Sequence, residues 1–383
     1  MLLPFIAHID LDCFFVSVER IKDPSLVGKP VVVAGSSQRR GVIASASYEA
    51  RTFGVHSAMP TARALRLCPH LIVVAGHHHI YSEYSDRLYD RMMEIAPVVE
   101  RASIDEMYLD FTGCEKLYDD DLPGYMKKLQ GLVLTEFLLP CTIALASNKL
   151  IAKIAANQVK PAGVTFVPHG TEEAYMAQLP IGVIPGIGKK TEEVLLKRGY
   201  QLVADLQAVS LKDLCKLLGA HGEWIYHASH GRGSSSLTPE HDVKSISREE
   251  TFSDDICDEK TLEKKLSALV ESVCSSLRRH NLKARTITLK LRTSDFRTTT
   301  HQYSRDPTDY DPEIMRISKE LLTIHHDGKT PLRLIGIGLS NFTDESQMEL
   351  ELDFSQKKRG KVLEAFDRLR KKYGDDSIKF GGS

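Results

Sequence analysis

Apolar and polar positions alternate with two different periods along residues 1–168, and each period predicts one kind of element. Short apolar runs followed by turn residues, such as FIAHIDLD and KPVVVAG, predict buried strands. Stretches such as SEYSDRLYDRMMEIAP have apolar residues at helical spacing and predict helices, here one that Pro97 ends. Because strands and helices alternate, we expect an α+β fold with an antiparallel or mixed sheet and helices on one face of it.

The pattern becomes helical over residues 169–235, with short connections that contain glycine. The polar segment GSSSLTPEHDVKS follows and predicts a linker. Beyond it, TLEKKLSALVESVCSSLRRH and PEIMRISKELLTIHH predict two helices, whereas RTITLKLRT and LRLIGIGLSNF predict strands. In RTITLKLRT we expect Ile287, Leu289 and Leu291 to face a core. The pattern therefore predicts a separate small domain, built as a sheet with two helices, and a charged tail after residue 344.

Two adjacent acids, Asp105 and Glu106, interrupt the strand-like stretch RASIDEMYLDF. Neighbouring side chains of a strand point to opposite faces, so both acids reach one site only where a strand starts or bends. VVERASIDEMYLDF predicts two short strands around a tight reversal. We therefore expect Asp105 at the reversal and Glu106 at the first position of the second strand, with Met107 and Leu109 packed inward.

A second acidic pair, Asp10 and Asp12, lies at the end of the strand predicted for FIAHIDLD, on one face of it. One of these acids could instead cap the following helix. Together with Asp105 and Glu106, they supply the carboxylate oxygens that Mg²⁺ prefers. Two such ions about 3.5–4 Å apart would activate a hydroxyl and stabilise a leaving pyrophosphate. On the residues alone, Asp12 would count among the metal ligands.

Candidate phosphate-binding residues lie in two further stretches. In SASYEAR, which includes Ser45, Tyr48 and Arg51 are neighbours if the stretch is helical. The guanidinium can fork two phosphate oxygens and the phenol can add a third contact, although a surface arginine beside a packed tyrosine is the simpler alternative. Lys160 in QVKPAG lies at a predicted helix end, where a lysine also commonly meets terminal carbonyls.

The stretch IPGIGKKT contains two glycines, Gly186 and Gly188, at the start of a predicted helix. Such glycines let backbone N–H groups approach a phosphate, and Lys189 and Lys190 add positive charge. A third glycine is absent and no strand leads in cleanly, which excludes a dinucleotide-binding loop. The spacing resembles the helix-hairpin-helix motif, which grips a nucleic-acid backbone without reading its sequence. A plain corner between two helices remains the alternative.

The overall charge is uninformative, because 50 basic and 51 acidic residues leave a net charge of −1. Cations nevertheless crowd one segment, in which Asp295 is the one acid: Arg278, Arg279, Lys283, Arg285, Lys290, Arg292, Arg297 and Arg305. This segment is either a solvated basic face or a phosphate-binding surface.

Features that would place the chain outside the cytoplasm are missing from the sequence. No apolar run approaches the roughly 20 residues that span a bilayer, and MLLPFIAHIDLD meets acids too early for a secretory signal. The seven cysteines are scattered and never form CxxC, which predicts reduced thiols. We expect the three histidines at 77–79 to lie in a polar loop, since consecutive residues of a regular element do not converge on one metal.

Six motifs occur in the order seen in Y-family DNA polymerases: DLDCFFVSVE, GKPVVVAG, ASYEARTFGV, SIDEMYLD, SNKLIAKIAANQVKPAG and IPGIG. The chain resembles the DinB, or DNA polymerase IV, branch of that family over residues 5–343. It departs from the common pattern in having Ile where Val usually precedes PGIG, and its tail is of a kind that varies within the family.

The resemblance implies a set of metal-binding residues. The acids of the family fall on Asp10, Asp105 and Glu106, of which Glu106 is also catalytic, and the backbone carbonyl of Leu11 joins them. Asp12 lies in the same motif but is not one of the metal acids. The resemblance therefore replaces the ligand role that the residues alone suggested for Asp12, and it implies two Mg²⁺ ions, for which Mn²⁺ can substitute.

The resemblance also implies how a nucleotide is held. Phe15 falls on the steric gate, the aromatic side chain that excludes a ribose 2′-hydroxyl, and Phe14 lies beside the nucleotide. The residues that match the family's triphosphate-binding positions are Tyr48, Arg51 and Lys160, with Ser45 nearby. Gly186, Gly188, Lys189 and Lys190 would contact the DNA backbone, as would the strand face that carries Lys290 and Arg292.

The implied architecture is a right hand with an added domain. Its parts are a palm (1–12 and 77–168), fingers (13–76), a helical thumb (169–235), a linker (236–244), a little finger (245–343) and a tail (344–383). Small fingers leave an open site, so damaged templates are tolerated and fidelity is low. The sequence shows no exonuclease domain.

The resemblance thus implies a cytoplasmic, monomeric DNA-directed DNA polymerase that extends a primer on its template with dNTPs and performs translesion synthesis. A catalytically inactive, DNA-binding member of the family and a different palm-domain enzyme, such as a nucleotide cyclase, are the alternatives. In the tail, QMELELDF (347–354) resembles the peptides by which these polymerases bind the sliding clamp. The end of a strand or a solvated tail is the alternative for that stretch.

Overall fold

The computed structural model describes residues 2–38, 40–239 and 242–344, together with Arg368 and Lys372. The chain divides into two compact units, Met1–His241 and Asp242–Ser383. The boundary lies inside the polar segment GSSSLTPEHDVKS. The tail stretch at 347–354 falls outside the described residues.

The first unit contains eight strands in its described part: β1 (Ile6–Leu11), β2 (Val31–Ala34), β3 (Ile43–Ala46), β4 (Ile72–Val74), β5 (Val98–Arg101), β6 (Glu106–Asp110), β7 (Cys141–Ala146) and β8 (Val164–Phe166). Its helices are α1 (Phe14–Lys22), α2 (Tyr48–Arg51), α3 (Thr61–Leu67), α4 (His78–Ile95), α5 (Leu122–Phe137), α6 (Lys149–Gln158), α7 (Glu172–Ala177), α8 (Lys189–Leu196), α9 (Val203–Gln207), α10 (Leu211–Leu218) and α11 (His221–Ser229). The helix α4 begins at His78, so the loop expected for the histidines is in fact a helix start.

A five-stranded sheet in the order β5-β6-β1-β7-β8 forms the base of the first unit. The central strand β1 is antiparallel to both β6 and β7, and β8 is parallel to β7, so the sheet is mixed as expected. Alternate residues of β1 face one core, because Ala7, Ile9 and Leu11 pack there with Met107 and Leu109 of β6.

Helices cover both faces of this sheet, which corrects the expectation of helices on one face. Residues of α1, α4 and α5 share the core that contains Ala7 and Ile9. The opposite face of β7 presents Ala144 and Ala146, which pack with Ile151 of α6 in a separate core. Small side chains on this face let a helix approach closely. Every residue of β7 is buried and all but Thr142 are apolar, which is typical of a strand covered on both faces.

Two smaller parts complete the first unit. The sheet β3-β2-β4 has its own core, in which Val32 and Ile43 pack with Ala64 of α3. The predicted helical stretch after residue 169 is confirmed as α7 to α11. These helices share a core that includes Leu195 of α8 and Ile225 of α11.

The second unit is a four-stranded antiparallel sheet in the order β11-β10-β12-β9, with two helices in its described part. Its elements are β9 (Ser245–Ile256), α12 (Glu259–Arg279), β10 (Leu282–Thr293), β11 (Thr298–Thr308), α13 (Asp311–His325) and β12 (Leu332–Asp344). Ile287, Leu289 and Leu291 are buried, as the alternation predicted. The strands β9 and β11 were not predicted, because both are edge strands with few apolar residues.

All seven cysteines are free, which confirms the prediction from their spacing. Among the described residues, no helix is both long enough and apolar enough to cross a membrane.

Candidate active site

The predicted acids meet at one end of the five-stranded sheet. Asp10 on β1 and Glu106 on β6 are paired directly across the two strands. Asp105 comes just before β6, and its carbonyl oxygen accepts a hydrogen bond of 2.9 Å from the N–H of Leu11. Because β5 and β6 form a hairpin whose second strand starts at Glu106, the predicted positions of Asp105 and Glu106 at the reversal are confirmed.

Two lysines bring positive charge to these carboxylates. Lys160 Nζ lies 2.5 Å from Asp10 Oδ2, so this lysine faces an acid rather than the end of its helix. Lys153 on α6 donates a hydrogen bond to Glu106 Oε2. Lys153 was not among the predicted site residues, although Lys149 and Lys153 lie four residues apart in the mainly apolar first two turns of α6. Such spacing places two cations on one helix face.

Burial and neighbouring groups shift the pKa values of these side chains in different directions. Burial raises the pKa of Asp10 to about 7, with Glu106 and Asp105 adding to the rise and Lys160 opposing it. The pKa of Glu106 is held well below its usual range by His8 and Lys153. His8 is completely buried, 3.8 Å from Glu106 Oε2, and burial lowers its pKa.

Asp12 is a structural anchor in this arrangement. Its carboxylate accepts hydrogen bonds from the Tyr48 hydroxyl at 2.9 Å, the Thr142 hydroxyl at 3.1 Å and the Ala162 N–H at 2.8 Å. These donors occupy both oxygens, so the ligand role suggested by the residues alone is wrong. Asp12 instead joins the end of β1 to α2, to β7 and to the chain after α6.

The carboxylates fit a divalent cation by the chemistry of their donors. Carboxylate oxygens are preferred ligands of hard divalent ions, and Asp10 and Glu106 already hold ammonium groups at short range. Asp105 Oδ1 accepts a hydrogen bond of 2.6 Å from the Ser103 hydroxyl. In the described part of the chain, no three His, Cys, Asp or Glu side chains form a ready-made metal cluster. Ion binding at this site therefore requires the lysines to move away from the carboxylates.

The two aromatic residues that follow β1 have different environments. Phe14 is buried in the main core with 2% of its surface exposed, so only its backbone is available to a nucleotide. Phe15 is half-buried, and its ring stacks on that of Tyr81 with centroids 4.3 Å apart.

The residues expected to hold phosphates lie close to this end of the sheet. Tyr48 and Arg51 are the first and last residues of the helix α2, so they are neighbours as expected for a helical stretch, and the Arg51 guanidinium lies 4.5 Å from the centre of the Tyr48 ring. Arg51 Nε also donates to the carbonyl of Ala46 at 3.1 Å. Ser45 is buried in β3.

Comparisons with known proteins show the family to which this chain is similar. The model of the impB/mucB/samB family matches residues 9–157, and the model of its C-terminal domain matches residues 243–352. The chain is 38% identical to DNA polymerase IV of Dehalococcoides mccartyi (strain CBDB1), covering 98% of this chain and 96% of that protein. It is 34% identical to DNA polymerase IV of Caulobacter vibrioides, covering 98% and 93%.

The chain belongs to the DNA polymerase IV family. Among solved structures, it matches a Y-family DNA polymerase chimera of Dbh and Dpo4 with a TM-score of 0.78 and 26% identity, covering 89% of this chain and 100% of that one. This membership confirms the predicted family and the mixed α+β fold class with a C-terminal sheet domain. It makes the chain a DNA-directed DNA polymerase of the low-fidelity, translesion type that depends on divalent metal, and it excludes the nucleotide cyclase alternative.

One of the two predicted DNA-contacting surfaces of this polymerase is the IPGIG loop. Gly186 has a φ of 97°, which only glycine adopts without strain, and a Cβ there would lie 2.9 Å from His221. The Trp224 indole N–H donates to the carbonyl of Pro185 at 2.9 Å, and the Trp224 side chain lies partly exposed on α11. Gly188 is the N-cap residue of α8. The first two residues of α8, Lys189 and Lys190, are exposed.

The basic segment of the second unit is less positive than its sequence suggests. Lys290 pairs with Glu249 of β9 at 2.5 Å. Arg278 pairs with Asp311, and Arg305 pairs with Glu313. Acids on other elements of this unit thus neutralise part of the segment. Arg292 donates to the Thr298 hydroxyl at 2.8 Å on the neighbouring strand.

Proposed function

We propose that this polymerase joins dNTPs to a primer 3′ end by nucleotidyl transfer at Asp10, Asp105 and Glu106, with two Mg²⁺ ions held by these acids and the Leu11 carbonyl. Mn²⁺ can take their place. The pairing of Asp10 with Glu106 across adjacent strands carries the proposal, because it brings the acids to one strand end. When bound, the ions stabilise charge on the attacking and leaving oxygens of the in-line displacement.

The lysines supply the second part of the proposal. In the absence of other cations, Lys160 neutralises Asp10, which is buried at 4% exposure. A divalent cation held by Asp10 would leave the ammonium of Lys160 free to bind triphosphate oxygens together with Arg51 and Tyr48. The Tyr48 hydroxyl donates to Asp12 in the free protein and would turn from Asp12 to the triphosphate when a nucleotide binds, and Ser45 lies nearby on β3.

The remaining assignments follow the family pattern. Phe15 acts as the steric gate and the backbone of Phe14 borders the nucleotide. The five-stranded sheet is the palm, the sheet β3-β2-β4 belongs to the fingers, and α7 to α11 form a thumb whose IPGIG loop is a helix-hairpin-helix contact to the primer-template. The second unit is the little finger, which lays Lys290 and Arg292 along the DNA backbone. The polymerase acts as a monomer without proofreading, and clamp binding by residues 347–354 stays a prediction.

Primer extension tests the assignment of the acids. Asp105→Ala should abolish extension in the presence of Mg²⁺, because the variant lacks one of the metal-binding carboxylates. The matched control is Asp110→Ala, at the opposite end of β6. Comparable extension by wild type and Asp105→Ala would end this assignment. Failure of both proteins to extend the primer would instead favour the inactive, DNA-binding alternative.

A further inference from the structure

The proposed gate residue is held by a second aromatic ring. Phe15 and Tyr81 stack nearly parallel, with an interplanar angle of 13°. His78 meets both rings edge-on, with centroids 5.6 Å from each. Tyr81 is completely buried, so its position decides where the Phe15 ring lies.

A buried carboxylate in turn holds Tyr81. The Tyr81 hydroxyl donates to Glu19 Oε1 at 2.6 Å, and Glu19 has 3% of its surface exposed. His77 Nδ1 lies 2.8 Å from the same oxygen, and Lys22 Nζ lies 3.2 Å from Oε2. Although burial acts in the opposite direction, the hydrogen bonds from Tyr81, His77 and Lys22 lower the pKa of Glu19. Glu19 is therefore a fully hydrogen-bonded anion.

The placement of these residues links the anion to the gate. Phe15 and Glu19 lie four residues apart on α1, hence on one face of the helix. Tyr81, on α4, touches both: its ring contacts Phe15 and its hydroxyl contacts Glu19. Burying a charge is costly unless it is paired, and nothing in the proposed chemistry uses Glu19 directly. A ring fixed by a hydrogen bond at one end resists displacement, whereas a ring held by packing alone yields more easily.

We propose that Glu19, acting through the Tyr81 hydroxyl, is a positioning residue for sugar discrimination. It fixes the Phe15 ring against the nucleotide so that a ribose 2′-hydroxyl meets an unyielding surface. The inference rests on the proposed role of Phe15 as the gate. Discrimination by steric exclusion depends on the ring staying in place, because a small displacement makes room for one oxygen atom.

Two conservative variants test this positioning role. Tyr81→Phe keeps the stacked ring and deletes one hydroxyl, and Glu19→Gln keeps the side-chain volume and deletes the charge. The measurement is kcat/KM for a dNTP and for the matching rNTP in single-nucleotide insertion. We expect the dNTP preference to fall about tenfold in each variant, through a higher kcat/KM for the rNTP, with the dNTP value within about twofold of wild type. The controls are Tyr84→Phe on α4 and Glu136→Gln, an exposed acid paired with Arg91.

A merely structural role would lower both kcat/KM values together and leave their ratio unchanged, and that result overturns the inference. An unchanged ratio in both variants also overturns the inference when the two kcat/KM values themselves stay at the wild-type level. Phe15→Ala separates the two levels of the argument. If Phe15→Ala does not alter the ratio, the gate assignment itself fails. If Phe15→Ala alters the ratio but Tyr81→Phe and Glu19→Gln leave it unchanged, only the role of Glu19 fails. In a Phe15→Ala background, Tyr81→Phe should cause no further loss of discrimination.

Discussion

The five-stranded sheet of the first unit and the four-stranded sheet of the second both carry charged side chains, but they place them differently. In the first, Asp10 and Glu106 meet at adjacent strand positions, and Asp10 is 4% exposed. In the second, the Lys290 and Glu249 side chains are 31% and 51% exposed. Charges interact strongly where water is excluded and weakly where it screens them. We therefore expect function in the first sheet to depend on a few residues and function in the second to be spread over many.

The second unit also contains one buried ion pair that sharpens this contrast. Arg278 of α12 and Asp311 of α13 pair with 11% and 1% of their side chains exposed. This pair lies within the domain and joins its two helices. A buried charge thus lies in the proposed active site of the first unit and joins two helices in the second unit, and the difference lies in what the charge faces.

The largest effect is expected at Glu106. Glu106→Gln should reduce primer extension about 1,000-fold or more, because it removes a carboxylate from the proposed metal site while preserving its size. Steady-state single-nucleotide insertion measures the effect, with Asp110→Asn as the control on the same strand. A reduction of less than about tenfold would contradict the idea that function is concentrated at this strand end.

The next effect concerns the buried pair of the second unit. Asp311→Ala should destabilise this unit by about 3–5 kcal/mol, because it removes a carboxylate from a guanidinium that is largely buried. Hydrogen exchange of peptides from α12 and α13 in the full chain measures the loss. Glu249→Ala breaks an exposed pair and should cost less than about 1 kcal/mol. Equal costs for the two variants would erase the distinction between buried and exposed pairs.

A smaller loss of stability is expected at Asp12. Asp12→Asn replaces one carboxylate oxygen by an amide nitrogen, which cannot accept a hydrogen bond. Either the Tyr48 hydroxyl or the Ala162 N–H then loses its acceptor, so we expect a loss of about 2 kcal/mol. Denaturant unfolding followed by fluorescence of Trp224, the single tryptophan, reports on the first unit. Tyr48→Phe removes only one of the donors and should cost less. An unaltered unfolding midpoint for Asp12→Asn would refute the anchor role.

The smallest effect is expected on the strand face of the second unit. Lys290→Ala should weaken primer-template binding alike for all sequences and lower the slope of log affinity against log salt by about 1. A filter-binding titration at several salt concentrations measures the slope. The control is Lys264→Ala, which changes an exposed lysine on α12. If Lys290→Ala and Arg292→Ala both leave the slope unchanged, this face does not contact DNA phosphates.

Much of the active-site strand could be predicted locally. The reversal before Glu106 follows from two adjacent acids in an apolar strand pattern, and Met107 and Leu109 face the core as the alternation requires. Local rules fail most visibly at functional sites, and here the failure marked the site itself. The helix α12 and the strand β10 were also predictable, because one face of each is regularly apolar.

Contacts between distant parts of the chain could not be predicted in this way. Lys153 meets Glu106 because α6 crosses the face of the sheet opposite the main core, which no local pattern specifies. The anchors of Asp12 come from Tyr48, Thr142 and Ala162, far apart in sequence. The edge strands β9 and β11 have too few apolar residues to show alternation.

The sequence by itself determined the order of the motifs, the family, the placement of Asp105 and Glu106 at a strand start, and the small domain with two helices. The family follows from the resemblance of the motifs, whereas the strand start and the small domain follow from periodicity and local backbone geometry. Only the tertiary structure decided that Asp12 is an anchor, that Lys160 faces Asp10, and that Glu19 reaches the Phe15 ring through Tyr81. Each of those outcomes depends on which side chains a buried charge meets after the chain has folded, and a buried charge is stable only where distant residues supply its partners.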